Sequence, residues 1–127
     1  PLFGWGAATF PFIYTVFKNH NLNDNVQHSH NLFLELSINY GLIVSSLILF
    51  NILFILLKSL SIIFYKKVSG NLQTYKSWFM ATVIVLFTQV FDVTYYDVRI
   101  SLLFWILIAG LKSINQEDLE VKILDSK

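Results

Sequence analysis

Three apolar stretches, separated by polar residues, dominate the pattern of this chain. The first covers residues 32–65 and is strongest between Leu42 and Leu57. A helix that crosses a membrane needs about 20 predominantly apolar residues. The first stretch therefore predicts a transmembrane helix with an extra turn or two at each end, and Gly41 is expected to bend it. Its interruptions are Glu35, Asn39, Asn51 and Lys58.

Two shorter apolar stretches follow, at residues 78–93 and 98–113. Residues 94–97 join them, and a linker this brief fits only the tip of a helical hairpin, so we expect two antiparallel membrane helices. By length alone the third stretch would also suit a core helix of a soluble protein. In the context of the hairpin, the sequence predicts an all-α polytopic membrane bundle with about three transmembrane helices and an outer-face loop.

The lysines predict how this bundle is oriented. Short cytoplasmic loops of membrane proteins are enriched in Lys and Arg. Residues 66–77 and the tail 114–127 are therefore expected to be cytoplasmic, whereas residues 1–31, with a short interfacial helix, and the tip 94–97 are expected on the outer face. The lysines of the inner side are Lys58, Lys66, Lys67, Lys76, Lys112 and Lys122, against Lys18 and Arg99 on the outer side.

The composition fits a chain that lies in lipid. Hydrophobic residues make up 55% and charged residues 13%, against about 25% charged in soluble domains. The absence of cysteine excludes disulfides, thiolate metal sites and thiol nucleophiles within this chain. With a net charge of +1 and no basic run among aromatics, we expect no nucleic-acid partner. The start at Pro1, without a signal-peptide pattern, suggests a piece of a longer membrane protein.

All three histidines, His20, His28 and His30, lie before the first apolar stretch. His28 and His30 are candidate metal ligands, but no third ligand stands at a recognised spacing, so the zinc signal is weak. An imidazole can instead accept a proton at physiological pH. No Ser/His/Asp triad is predicted, because no serine near these histidines has a recognisable elbow motif.

A polar stripe follows the histidines. On a helix, Asn31, Glu35 and Asn39 recur every fourth residue, and Ser46 falls in the same sector. Such a stripe should face a cavity or other helices. A carboxylate near membrane depth is costly, which makes Glu35 a functional-site hypothesis. The alternative is an interhelical hydrogen-bond clamp or a helix start near lipid headgroups.

The spacing of His30 and Asn31, nine residues and then Gly41 resembles the histidine motif of O-antigen ligases and of the related polymerases. The longer sequence of residues 28–35, followed by Tyr40 and Gly41, also resembles this superfamily. Val44 departs from it, because a small or hydroxyl residue is usual three positions after the glycine.

The resemblance extends over nearly the whole chain. Residues 4–11 are similar to the glycine-rich stretch that precedes the outer loop in these proteins, and residues 105–111 to their last helix. The glycines lack the lysine and hydroxyl of a phosphate-binding loop and by themselves only permit tight turns.

The resemblance implies a glycosyltransferase of the ligase or polymerase type, a multi-pass protein of the bacterial inner membrane. It would transfer a glycan from a polyprenyl-diphosphate carrier to a saccharide hydroxyl. His30 would activate or orient that hydroxyl, and Glu35 would fix the imidazole or the acceptor. A diphosphate leaves readily once its charge is compensated, so the prediction includes no metal and no cofactor. The predicted substrate-binding residues are Arg99, Asn31, His28 and Asp97.

Arg99 is the only arginine of the chain, and its planar guanidinium suits a diphosphate. The alternative is that Arg99 pairs with Asp97 or Glu35 and closes the outer mouth of the bundle. Two other functions remain open: a component of a small-anion transporter of bicarbonate-like type, and a purely structural membrane subunit. A transport route should continue polar to the inner side, where Asn51, Gln89 and scattered hydroxyls are the only candidates.

Overall fold

The computed structural model describes residues 2–18, 26–65 and 72–125, and within these ranges the regular structure is entirely helical. The predicted all-α class is confirmed. His20 and residues 66–71 of the predicted cytoplasmic loop lie outside the described ranges. The helices are α1 (Phe10–Phe17), α2 (Leu32–Tyr40), α3 (Leu42–Tyr65), α4 (Leu72–Phe91) and α5 (Val98–Asp125), with a 3-10 turn at Thr94–Tyr96 between α4 and α5.

Gly41 breaks the first apolar stretch into α2 and α3. Its φ of 90° and ψ of 161° lie in a region that side chains rarely adopt, so the predicted bend is confirmed and is a break of the helix. The break changes the helical phase. Ser45, which is fully buried and donates to the Gly41 carbonyl, therefore takes the inward position. The prediction that Ser46 continues the polar stripe is wrong, because Ser46 is exposed.

Among the helices of the described ranges, two are long and apolar enough to cross a membrane: α3 over Leu42–Phe64 and α5 over Val98–Gln116. Only 17% of the apolar window in α3 and 33% of that in α5 is buried within the protein. A core helix of a soluble protein would be mostly buried, so these exposed apolar faces favour a membrane protein.

The predicted second transmembrane helix, α4, is not among these two. Its first turns carry Gln73, Thr74, Lys76 and Ser77, so its apolar part begins at Trp78. Residues 78–91 supply about 21 Å of helix at about 1.5 Å per residue, short of a hydrocarbon core of about 30 Å. Three spans therefore stay a prediction.

Helix α5 packs against both α3 and α4. Ile52 of α3 meets Phe104 and Ile108 of α5 in the apolar core. The α4–α5 contact is close, because the Trp78 indole lies against Gly110, where a Cβ would overlap the ring, and donates to the Leu107 carbonyl at 3.0 Å. We call the end of this bundle that carries the Thr94–Tyr96 turn the tip end.

Polar side chains join α3 and α5 at the opposite end of the bundle. The Ser59 hydroxyl donates to Asn115 Oδ1 at 3.1 Å, and Asn115 Nδ2 donates to the Ile55 carbonyl at 3.3 Å. Both polar side chains are buried. They form an interhelical clamp in which each polar group has a partner.

Candidate functional site

Asn31 starts α2 and ties it to α4. Its Oδ1 accepts from the Leu34 amide at 3.2 Å, as an N-cap does, and its Nδ2 donates to the Val90 carbonyl at 3.2 Å. The N-terminus of α2 is therefore fixed beside the last turn of α4. Asn31 was predicted to bind substrate, and the structure uses its side chain for these two contacts.

Glu35 lies one turn further along α2 and is 2% exposed. Its Oε1 accepts from the Tyr96 hydroxyl at 3.0 Å and from Asn39 Nδ2 at 3.5 Å, while its Oε2 accepts from the Ser29 amide at 3.0 Å. A buried carboxylate is costly unless donors satisfy its oxygens. The loop before α2 and the tip of the α4–α5 hairpin supply those donors.

Tyr96 bridges the two buried residues of the stripe. Its hydroxyl donates to Glu35 and accepts from Asn39 Nδ2 at 3.0 Å. Burial, the hydrogen bond to Glu35 and the negative charge of Glu35 raise the pKa of Tyr96 to about 12. The phenol therefore stays a hydrogen-bond donor throughout the physiological range. Glu35 and Asn39 face other helices, as the polar stripe predicted.

His28 belongs to the same group of side chains. Its ring stacks on Tyr96 with centroids 4.8 Å apart, and its Nδ1 lies 3.9 Å from Glu35 Oε1. This Nδ1 is buried, and no residue of the described ranges accepts or donates a hydrogen bond there. We call Glu35, Asn39, Tyr96 and His28 the Glu35 cluster.

His30 turns the opposite way. Its φ of 53° is left-handed, and its Nδ1 lies 3.4 Å from Asp92 Oδ1 at the end of α4. Both side chains are exposed, at 68% and 66%. Glu35 was expected to fix either the His30 imidazole or the acceptor. The carboxylate next to His30 is instead that of Asp92, and the histidine next to Glu35 is His28.

Arg99 lies exposed in the first turn of α5. The Asp97 carboxylate accepts from the Arg99 backbone amide at 2.8 Å, which makes it a helix cap and leaves the guanidinium out of the contact. Among the described residues, Glu35 pairs with His28, and no ion pair joins Arg99 to Asp97 or Glu35, so the alternative in which Arg99 pairs with one of these carboxylates is not the arrangement found.

The glycine-rich stretch packs on the break between α2 and α3. The Trp5 amide donates to the Ile38 carbonyl at 2.8 Å, and the Gly6 amide donates to the Asn39 carbonyl at 3.0 Å. Gly4 permits the contact, because a Cβ there would overlap the Asn39 backbone. Because α2 ends at the break, its last backbone carbonyls have no hydrogen-bond donor within the helix. The glycine-rich stretch donates to two of them. The sequence had suggested only tight turns.

Sequence reasoning missed Asp92 and Tyr96 as site residues. Both were assigned to the end of an apolar stretch or to the hairpin tip, without a role. The signal that would have found Tyr96 is the requirement that buried Glu35 be met by donors from another segment. Asp92 carries no such signal, because an exposed carboxylate next to a hairpin tip is ordinary.

Among the residues that the structure describes, no group of three or more His, Cys, Asp or Glu side chains is placed to hold a metal ion. His28 and His30 face different carboxylates. Comparisons of the chain with protein-family models, with curated proteins and with solved structures found no match. The resemblance to O-antigen ligases therefore stays a prediction.

Proposed function

We propose that the chain is part of a membrane glycosyltransferase that moves a glycan from a polyprenyl-diphosphate carrier to a saccharide hydroxyl, at the outer face of the bacterial inner membrane. One observation carries the proposal: an exposed imidazole and carboxylate, His30 and Asp92, pair at 3.4 Å at the tip end of the bundle. The exposed guanidinium of Arg99, which pairs with no carboxylate of the described residues, follows at the start of α5.

The pair suits a general base. In the tautomer that donates Nδ1–H to Asp92, Nε2 of the exposed His30 ring carries the free lone pair. Nε2 takes the proton of the acceptor hydroxyl as the oxygen forms a bond to the anomeric carbon. The bond from that carbon to the diphosphate oxygen breaks, and the diphosphate leaves with the electron pair. Asp92 fixes the tautomer and stabilises the imidazolium that forms.

Arg99 supplies positive charge for the leaving group. A guanidinium can form two parallel hydrogen bonds to phosphate oxygens, which a lysine ammonium cannot reproduce. We expect Arg99→Lys to retain part of the donor affinity and Arg99→Gln to lose it. The comparison of KM for the lipid-linked donor in wild type and the two variants measures this, and wild-type KM values in both variants would remove Arg99 from the donor site.

In this proposal α4 also crosses the membrane, so that the chain has three transmembrane helices. All 20 residues of α4, at about 1.5 Å each, give about 30 Å of helix, enough to cross if its polar first turns reach the headgroups. The clamp of Ser59 and Asn115 favours the glycosyltransferase over an anion transporter, because these polar groups at the opposite end bond to each other. A transport pathway needs polar groups available to the ion.

The test is glycan transfer by the full-length protein in its own membrane. Wild type is compared with His30→Ala at equal abundance, and His20→Ala serves as the matched histidine control. We expect His30→Ala to lose about 100-fold or more, the usual contribution of a general base, while lipid-linked donor accumulates. Transfer at the wild-type rate in His30→Ala would refute the proposal, and anion flux would be measured next.

A further inference from the structure

The tip of the α4–α5 hairpin is held on α2 by the side chain of Tyr96. We propose that Tyr96 is a positioning residue, which keeps Asp92 and His30 in register by fixing both to Glu35. The inference rests on the proposed function for its effect on rate, and on the geometry alone for its effect on structure.

The hydroxyl of Tyr96 connects the tip of the hairpin to α2. It bonds both Glu35 and Asn39 at 3.0 Å, and these partners are 2% and 4% exposed on α2. Asp92 lies two residues before the 3-10 turn that contains Tyr96, and its Oδ1 also accepts from the Val93 amide at 2.8 Å. The position of the Asp92 carboxylate therefore follows that of the turn.

The Glu35 carboxylate also binds the loop before α2. The Ser29 amide donates to Glu35 Oε2 at 3.0 Å, directly before His30 in the chain. His28 stacks on the Tyr96 ring. Glu35 thus fixes the loop through one oxygen and the tip through the other. Loss of the Tyr96 hydroxyl removes the tip contact and leaves the loop contact in place. The Asn31–Val90 hydrogen bond still holds the start of α2 beside α4, so we expect the His30–Asp92 distance to spread rather than the pair to come apart.

Tyr95 provides a matched control. It is the neighbouring residue in the same turn, but its ring packs edge-on against Phe104 in the apolar core, with centroids 6.1 Å apart. Tyr95→Phe and Tyr96→Phe each remove one hydroxyl from the tip. Only Tyr96→Phe takes a donor away from Glu35.

A double-mutant cycle of transfer rates tests the inference. We expect Tyr96→Phe to lower kcat by between about 10- and 100-fold, as small misplacements of catalytic groups do, with Tyr95→Phe close to wild type. In an Asp92→Asn background, Tyr96→Phe should have almost no further effect, because Tyr96 acts through Asp92. The positioning role of Tyr96 would be overturned if the rate losses of Tyr96→Phe and Asp92→Asn multiplied in the double variant. A Tyr96→Phe rate equal to that of wild type would overturn it as well.

A distance measurement separates this inference from the proposed function. Because the chain has no native cysteine, Gln27→Cys and Val98→Cys place one spin label on the loop and one at the tip. Tyr96→Phe should broaden the distance distribution, and Tyr95→Phe should leave it unchanged. An unchanged distribution in Tyr96→Phe overturns the positioning role even if His30→Ala abolishes transfer. A broadened one supports the role even if His30→Ala transfers normally.

A second variant tests the inference if Tyr96→Phe folds poorly. Asn39→Ala removes the other partner of the Tyr96 hydroxyl and leaves its bond to Glu35. It should therefore broaden the distribution less than Tyr96→Phe, with the same non-additivity with Asp92→Asn. If Asn39→Ala keeps the wild-type distribution while its rate effect multiplies with that of Asp92→Asn, the shared fixing of loop and tip is refuted.

Discussion

Replacement of Gly41 by alanine should be among the most destabilising single changes at the tip end. Gly41 has a φ of 90°, which an alanine adopts only with strain. The new Cβ would also overlap the carbonyl oxygen of Leu2 and lie too close to the Gly4 amide. Alanine at this position therefore displaces the glycine-rich stretch from α2 as well as straining the break.

The expected cost follows from two contributions. Backbone strain at a non-glycine residue in this region is about 1–3 kcal/mol. Displacement of the stretch loses the hydrogen bonds of Trp5 and Gly6 to the α2 carbonyls, each worth about 1 kcal/mol. The sum is about 3–5 kcal/mol of unfolding free energy.

The assay is reversible unfolding of the purified protein in mixed micelles. Ala8→Gly is the control, because Ala8 has a φ of 59° and glycine there should leave stability unchanged or raise it. A change of less than about 0.5 kcal/mol for Gly41→Ala, the usual range of harmless surface changes, would refute the reasoning.

A double mutant checks the docking contribution separately. Gly4→Ala alone should destabilise, since its Cβ would overlap the Asn39 backbone. Once Gly41→Ala has displaced the stretch, Gly4→Ala should cost little more, because the contact is already lost. If the losses of unfolding free energy of the two variants were additive, the two glycines would act independently. That result would contradict the docking of residues 2–6 on the break.

Four further predictions concern other parts of the molecule. Asn115→Ala should lower unfolding free energy by about 1–2 kcal/mol through loss of the Ser59 clamp, with exposed Ser113→Ala as the neutral control. Absorbance titration should show one phenolate forming near pH 12 that Tyr96→Phe lacks. Because the folded-state pKa of Tyr96 is raised above 10.0, its contribution to stability should be complete below pH 10.0 and be lost as the pH rises to about 12. Glycan transfer should persist in excess chelator, and its loss, restored by a divalent cation, would contradict metal independence.

The all-helical class and the bend at Gly41 could be predicted from the sequence, whereas the start of α4 at Leu72 and the length of α5 to Asp125 could not. Apolar stretches longer than a few turns, in a chain with few charges, form helices because backbone polar groups must be satisfied within the segment. Asn31 at the start of α2 and Gly41 at its end mark its limits, since each residue has the local conformation that its position needs. The spacing of Glu35 and Asn39 correctly placed both on a face that turns away from lipid.

Which side chains meet at the tip end depends on how the helices pack. The pairs His30–Asp92 and Glu35–Tyr96 are 62 and 61 residues apart in the chain, and no local periodicity relates them. Periodicity fixes the direction of a side chain around its own helix and leaves open which neighbour stands there. The left-handed backbone at His30 directs His28 and His30, two residues apart, to different carboxylates. The change of helical phase at Gly41 buries Ser45 in place of Ser46. These outcomes depend on helix packing and on single backbone angles, which linear spacing does not encode.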